Sequence, residues 1–407
     1  MTSLEKNLNG RLDYPVIDGD NHFYEPDDCC TRHLDPKYKD RSVHAIRTGD
    51  GVGQWHFGDK PLTFHRGTRD FVMKPGQYRA FMSGAEFDPN APPEMVPSLS
   101  PEFSQRDIRL KAMDRQGLQA CIMLPSFGVA FDAECSSDPE AACAAATAFN
   151  KWVEEDWGYA YQNRIFTPAT ISLFDRDMAV AELDRVLALG ARTLSIRPGP
   201  LNGISPVHPH FDPFWSRVNE AGIPVILHIG VSGYNPIVGA MWGENPNVSE
   251  TEMSPFLYYT CFGKRPIMDT IACFIFHNLF GRFPKIKIMS IENGSTWVPE
   301  FLKDLDKSGM VTVSTQGEKS IDSIGGDLKD RPSDIFKEHF YVCPFFEDPV
   351  PELVDTIGAD HVIFGSDWPH PEGVAEPLDF LDQCEGLPDD QIRLIMRDNN
   401  EKLLGLT

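Results

Sequence analysis

Short apolar runs recur along the chain from Val16 onward, and most are followed by a longer stretch with helical spacing. Val16-Ile17-Asp18 opens a strand that ends in Gly19-Asp20-Asn21-His22. LQACIMLP, residues 118–125, is the next run. Others span Phe166 to Leu173, Ala191 to Arg197, Ile223 to Ile229, Lys285 to Ile291, Phe340 to Cys343 and His361 to Phe364. Between them, apolar positions three and four apart predict helices. These cover SQRDIRLKAMDRQG from Ser104, Pro139 to Trp157, Met178 to Leu189, Phe211 to Ala221, Pro266 to Phe283, Thr296 to Lys307 and Glu352 to Ile357. Two more helices close the chain, around 378–385 and 388–404.

The runs are short, continuous and rich in Val, Ile and Leu, as strands buried on both faces are. Eight of them alternating with helices predict a parallel (β/α)8 TIM barrel. A doubly wound open sheet is the alternative, but no glycine-rich phosphate loop follows the first strand. Residues 1–14 read as a solvated arm, and 15–407 as the barrel domain. Between about residues 26 and 105 the pattern is irregular. GDGVGQWHFGDKPLTF suggests a hairpin, and DPNAPPEMVPSLSPEF an ordered stretch poor in helix. So long a stretch is not structureless inside a compact domain. It reads as an inserted subdomain after the first strand, covering one end of the barrel.

Composition narrows the function. A net charge of −23 disfavours nucleic acid and anionic membranes as partners. No apolar run is long enough to span a bilayer. Nine cysteines, none in a C-x-x-C pair, suggest reduced thiols in a cytoplasmic protein. No secretory h-region is visible at the start.

A barrel of this kind keeps its chemistry at the C-terminal ends of its strands. There the chain places Asp20 and His22 (first strand), Arg197 (fourth), His228 (fifth), Glu292 and Asn293 (sixth) and Asp367 (eighth), with Trp368 and His370 in the turn beyond. His277 lies in the apolar helical segment before the sixth strand. Residues two apart on a strand share a face, so Asp20 and His22 can hold one ion together. Imidazoles with carboxylates suit a divalent transition metal. Singly, each has a plainer reading. His228 can be a hydrogen-bonded histidine at a strand mouth, His277 a buried one, Arg197 an ion-pair partner, and Asp367 a helix N-cap. His208 and His210 form an H-x-H in a proline-rich loop and read as loop residues.

IDGDNHFYEP, PVILHIG, HNLFGRFPKIKIMSIENGSTWVP and FGSDWPHPEG together resemble the amidohydrolase-related (amidohydrolase 2) family, which includes aminocarboxymuconate semialdehyde decarboxylase. The resemblance runs from about Val16 to the end, apart from the insertion. It implies one divalent metal ion per chain, zinc or manganese. Matching its motifs, the ligands are Asp20, His22, His228 and Asp367, and the catalytic groups His277 and Asp367. Asp20 stands where the family has His or Glu, and an oxygen ligand favours a harder ion such as manganese. Arg197, Glu292, Trp368 and His370 are then candidates for substrate contact. Arg66, Arg69 and Arg79 in the insertion are candidates to grip a carboxylate.

The leading expectation is a metal-dependent, non-oxidative decarboxylase of a carboxylated aromatic or conjugated acid. His277 or Asp367 would deliver a proton to the carbon that loses CO2. Trp368, Trp55, Phe57 and Phe81 would wall off a flat ring. The alternatives are a metal-dependent hydrolase of an amide, lactone or ester, and a non-catalytic barrel. A homodimer is compatible with the long insertion.

Overall fold

The computed structural model describes residues 11–49, 53–65, 67–79, 92–249, 252–311, 323–345 and 347–406. Most of the expected arm, together with Arg66 and Phe81, lies outside them. The parallel strands are β1 (Val16–Phe23), β7 (Leu118–Pro125), β8 (Ile165–Phe166), β9 (Ala169–Thr170), β10 (Leu194–Ser195), β11 (Val225–His228), β12 (Ile288–Ile291) and β13 (Phe340–Val342). β1 pairs with β7 and β7 with β8. A second run of pairings joins β9, β10, β11, β12 and β13. The expected third strand is therefore split in two. Thr167 and Pro168 lie at the break, and Pro168 has no N–H to give to a ladder.

The eighth run closes the ring, although only a bridge of it is regular. Val342 bridges Val362 in parallel, the Ile363 N–H donates to Val342 O (3.0 Å), and the Gly19 N–H donates to Phe364 O (2.8 Å). The chain is a (β/α)8 barrel, as the alternating pattern implied.

Alternate strand positions feed two apolar layers. Ala120, Ile122, Leu124, Ile226, Met289 and Ile291 belong to one cluster inside the ring. Cys121, Met123, Val225, Leu227 and Ile288 join the larger one that faces the helices. The longer helices are α1 (Arg106–Gln116), α2 (Pro139–Asp156), α3 (Arg176–Ala188), α4 (Asp212–Ala221), α5 (Lys264–Phe276), α6 (Val298–Val311), α7 (Pro332–His339) and α8 (Val350–Ile357). Asp138 and Asp175 cap α2 and α3 by accepting the Ala141 and Met178 N–H groups.

Two features of β1 position the site. Its pairing with β7 shifts register between Asp18 and Asn21. Ile17 lies in the inner cluster and Phe23 in the outer one, so strict alternation is broken across that bulge. The break turns Asp20 and His22 towards the barrel axis. At Gly19, a Cβ would meet Phe364 O at 2.9 Å and the Asn400 amide at 3.0 Å, so only glycine allows this approach.

Asn400, fully buried, donates to both Ile17 O (2.9 Å) and Phe364 O (3.2 Å). It thus ties the first strand to the last. Replacing it with leucine is expected to destabilise the fold by about 1–3 kcal/mol, since Ile17 O loses its side-chain donor while Phe364 O keeps the Gly19 N–H. Denaturant unfolding checks this, and a change below about 0.5 kcal/mol, the size of a neutral surface substitution, would contradict it.

The insertion contributes two antiparallel sheets. β2 (Val43–Arg47), β3 (Gly53–Phe57) and β4 (Lys60–Pro61) form one, and β5 (Phe71–Met73) with β6 (Met95–Pro97) the other. The β3–β4 pairing is the hairpin read from the sequence. Trp55 stacks on Phe127 with ring centroids 4.1 Å apart. The Tyr78 N–H donates to Pro371 O at 2.7 Å, so the insertion grips the turn that carries Asp367.

Candidate metal centre

Five strand-end side chains converge at the C-terminal mouth of the ring. His22 Nε2 lies 3.0 Å from Asp20 Oδ1, 3.3 Å from His228 Nε2, 3.4 Å from Asp367 Oδ1 and 3.9 Å from Glu292 Oε2. His228 Nε2 lies 3.1 Å from Glu292 Oε2 and 3.7 Å from Asp20 Oδ1. Atoms bound to one ion at about 2.1 Å are separated by about 3.0 to 4.2 Å, so these spacings fit a single shared cation.

The chemistry of the donors fits as well. Two imidazole Nε2 atoms face each other among three carboxylates, all at least largely buried. His228 Nδ1 donates to Ile229 O (2.7 Å), which leaves the Nε2 lone pair pointing inward, as a metal-ligating histidine requires. Burial opposes a proton on His228, yet Asp20 and Glu292 raise its pKa to about 10. Burial likewise opposes ionisation of Asp20, but hydrogen bonds from His22 and His228 hold its carboxyl down at about 2. These buried carboxylates and imidazoles form a donor set that could hold one metal ion.

Glu292 and Asp367 share an unusual backbone, with φ of 56° and 55°. Non-glycine residues in this region mark functional constraint. The consequence is geometric. Ile291 points into the ring, so simple alternation would send Glu292 outward, and the left-handed turn brings it back over His228.

Asp367 and His370 extend the cluster. Asp367 Oδ1 lies 2.6 Å from His370 Nδ1, and His370 Nε2 lies 2.8 Å from Ser126 Oγ. Burial, then Glu292 and Asp20, push the Asp367 carboxyl well above the usual range. The His370 ring lies over that of His22 with centroids 4.0 Å apart. Ser126 also lines a cleft under the insertion with Tyr24, Glu25, Trp55, His65, Arg69 and Phe127.

The residues read from the sequence divide clearly. Asp20, His22, His228, Asp367, Glu292 and His370 are brought together. His277 is not among them. It caps the C-terminal end of α5, half-buried, with Nδ1 2.9 Å from Ser205 Oγ. β11 and β12 are parallel, so the intervening chain must return to the end where strands start. His277 lies late on that return, away from the mouth. Arg197 is also elsewhere, paired with Asp132 (3.1 Å) and donating to Ser232 O (2.9 Å). The Trp368 ring packs with Tyr24, Val72 and Phe103 in a satellite core, beneath the Arg109 guanidinium at 4.2 Å.

Asp18 is the residue that inspection of strand ends passed over. It accepts from the Asp20 N–H (3.0 Å), the Ser366 N–H (2.9 Å) and the Asn21 amide (2.9 Å). Burial pushes its carboxyl up to about 7 despite those bonds. It clamps the turn before Asp367 onto β1. The signal was present as an acidic residue inside an otherwise apolar strand.

A parallel barrel with a mixed imidazole–carboxylate cluster at its mouth defines a metal-dependent barrel enzyme. The family model for amidohydrolases (Amidohydro_2) matches residues 17–406, and the chain belongs to that family. That family makes it an enzyme of the amidohydrolase type. The chain is similar to the amidohydrolase map2389c from Mycobacterium avium subsp. paratuberculosis. Identity is 37%, the TM-score is 0.87, and 97% of this chain and 100% of that one are covered. At the level of fold it is similar to 2,6-dihydroxybenzoate decarboxylase from Rhizobium (17% identity, TM-score 0.59, 97% and 99% covered). The same holds for a dihydroxybenzoic acid decarboxylase from Polaromonas sp. JS666 with bound manganese and 2-nitroresorcinol (16%, 0.56, 97% and 97%). No curated protein matches the sequence. No helix among the described residues is long and apolar enough to cross a membrane.

Proposed function

We propose that this enzyme is a metal-dependent, non-oxidative decarboxylase of a carboxylated aromatic acid. The observation that carries the reading is the placement of Asp367, which lies against the ligand cluster at 3.4 Å from His22 and is hydrogen-bonded to His370. An acid held there can hand its proton to a carbon bound over the cluster, and that transfer completes a decarboxylation. Asp20, His22, His228 and Glu292 would hold the ion, with Asp367 at its edge. When bound, the ion supplies Lewis acidity towards the substrate's oxygen atoms. Two carboxylates beside two imidazoles suit a divalent transition metal, and the oxygen ligands make manganese a fitting ion. The Polaromonas decarboxylase with bound manganese supports that choice.

His370 orients the Asp367 carboxyl and is itself fixed by Ser126. Glu292, read from the sequence as a substrate contact, is better placed as a ligand. His277 has no part in the proposed chemistry. The cleft beside Ser126 is narrow, and Trp55 and Phe127 close one wall of it by stacking on each other. Of the arginines in the insertion, Arg69 lines that cleft and lies near enough to His370 to lower its pKa further, after burial and His22. Arg69→Ala is expected to raise KM for a carboxylate substrate about tenfold or more with a smaller change in kcat, as loss of a charge-assisted hydrogen bond does. Steady-state kinetics decide it, and an unchanged KM removes Arg69 from substrate binding.

The experiment that tests the reaction class is incubation of the manganese-loaded enzyme with a panel of carboxylated phenols, esters and lactones. CO2 release from the phenolic acids is the expected result. Release of a carboxylic acid from an ester or lactone, with no CO2, would make the enzyme a hydrolase instead.

A further inference from the structure

Ser126, Phe127 and Gly128 form the turn by which the chain leaves β7 at the mouth of the ring. Several contacts press this turn into place. The Phe127 ring stacks on Trp55 and lies 5.5 Å from that of Phe131. The Ser126 N–H donates to Phe23 O at 3.2 Å. At Gly128 a Cβ would meet the Phe149 ring at 2.5 Å, so the backbone lies directly on α2. The N–H groups of Phe127 and Gly128 lie outside any helix or strand. Both donate to one atom, Glu25 Oε1, at 2.8 and 3.0 Å. Glu25 follows closely on the end of β1, so the carboxyl ties the exit of the first strand to the exit of the second.

What the turn holds is Ser126. The Ser126 hydroxyl donates to Phe23 O (2.8 Å) and also lies 2.8 Å from His370 Nε2. A hydroxyl has one hydrogen, and a carbonyl can only accept. Ser126 therefore gives its hydrogen to Phe23 O and turns a lone pair towards His370. His370 Nε2 is then the N–H of that ring, and Nδ1 is left to accept from the Asp367 carboxyl at 2.6 Å. This is the arrangement in which Asp367 carries a proton that it can give away. A displaced Ser126 would free the ring to take the other tautomer, with its Nδ1–H donating to an ionised Asp367.

We propose that Glu25 is a positioning residue for the proton donor: by gripping the 126–128 turn it keeps Ser126 on His370, and His370 in the tautomer that serves Asp367. This rests on the reading of Asp367 as the acid. Glu25 acts through the turn, since its Oε1 is already engaged by two donors. A residue that only stabilised the turn would lower activity whether or not Asp367 is present. A residue that works through Asp367 has nothing left to do once the acid is gone.

The test is a double-mutant cycle on the manganese-loaded, full-length enzyme, with kcat and metal content measured for E25A, D367N and E25A/D367N. E25A is expected to keep its ion and to lose about 10–100-fold in kcat, the cost of slightly misplacing a catalytic group, with KM little changed. In the D367N background the same substitution is expected to change kcat by less than about threefold. E25Q keeps an oxygen in place for both N–H groups and is expected to recover most of the loss. Wild-type kcat in E25A overturns the inference. So does an equal loss with and without Asp367, which would make Glu25 a purely structural support. Unchanged kcat in D367N alone is a separate failure, since it removes the acid itself and overturns both readings.

Hydrogen exchange gives an answer without turnover. The Phe127 and Gly128 amides are expected to exchange about tenfold faster or more in E25A than in wild type or E25Q, and equal rates contradict the grip. If E25A does not fold, E25D, whose carboxyl falls one methylene short of the turn, is measured in its place with the same outcomes.

Discussion

His228→Ala is expected to strip the divalent ion from the protein and, with it, all turnover. The substitution removes one of two facing imidazoles and leaves Asp20 and Glu292 without the nitrogen that separates them. Loss of a partner outside the coordination shell commonly costs 10–100-fold in metal affinity, so loss of a ligand should cost more than about 100-fold. The measurement is metal content by plasma mass spectrometry after dialysis. About one ion per chain is expected for the wild type and close to none for the variant. A variant that keeps its ion and its activity would show that His228 is a hydrogen-bonded strand-end residue and no ligand. Circular dichroism separates this result from unfolding, since the barrel core does not depend on the imidazole.

Asp367→Asn is expected to separate chemistry from metal binding. The amide keeps the shape of the side chain and can still meet His370 Nδ1, but it cannot transfer a proton. With Asp20, His22, His228 and Glu292 intact, the variant should retain its ion, and kcat should fall by about 10²–10⁴, the usual share of general acid–base catalysis. Substrate binding should change far less, so a calorimetric titration with a carboxylated phenol distinguishes a lost proton donor from a collapsed site. Loss of the ion in this variant would make Asp367 an essential ligand. Unchanged kcat would place the proton donor elsewhere and undo the proposed mechanism. His277→Ala is the matching control, with activity expected to be unchanged because Ser205 and Cys273, and no ligand, surround that ring.

The barrel was legible from the chain because both faces of its strands are buried. Runs such as VILH and IMSI show continuous apolarity when one face packs inside the ring and the other under helices. The candidate ligands on β1, β11 and after the eighth run were legible for a related reason. Parallel strands all end on the same side, so polar residues at those ends share one region of space wherever they fall in sequence. The weakest signal was the third strand, where Pro168 divides the pairing between two neighbours.

Three things were decided only in three dimensions. The sixth strand has a histidine before it and a glutamate after it, and sequence proximity alone could not rank them. The parallel return places His277 away from the mouth, while a left-handed residue at the strand end folds Glu292 inward. Arg197 stands at a strand end with the chemistry of a substrate clamp, but Asp132, far away in sequence, takes its charge. Trp368 follows the site aspartate directly, yet its ring is spent in packing because Arg109 and Phe103 arrive from the other side. Local pattern and chemistry thus determined the barrel and the set of groups near its mouth. Which of those groups face a common point depends on bulges, backbone turns and distant ion pairs, and those are set by the closing of the ring as a whole.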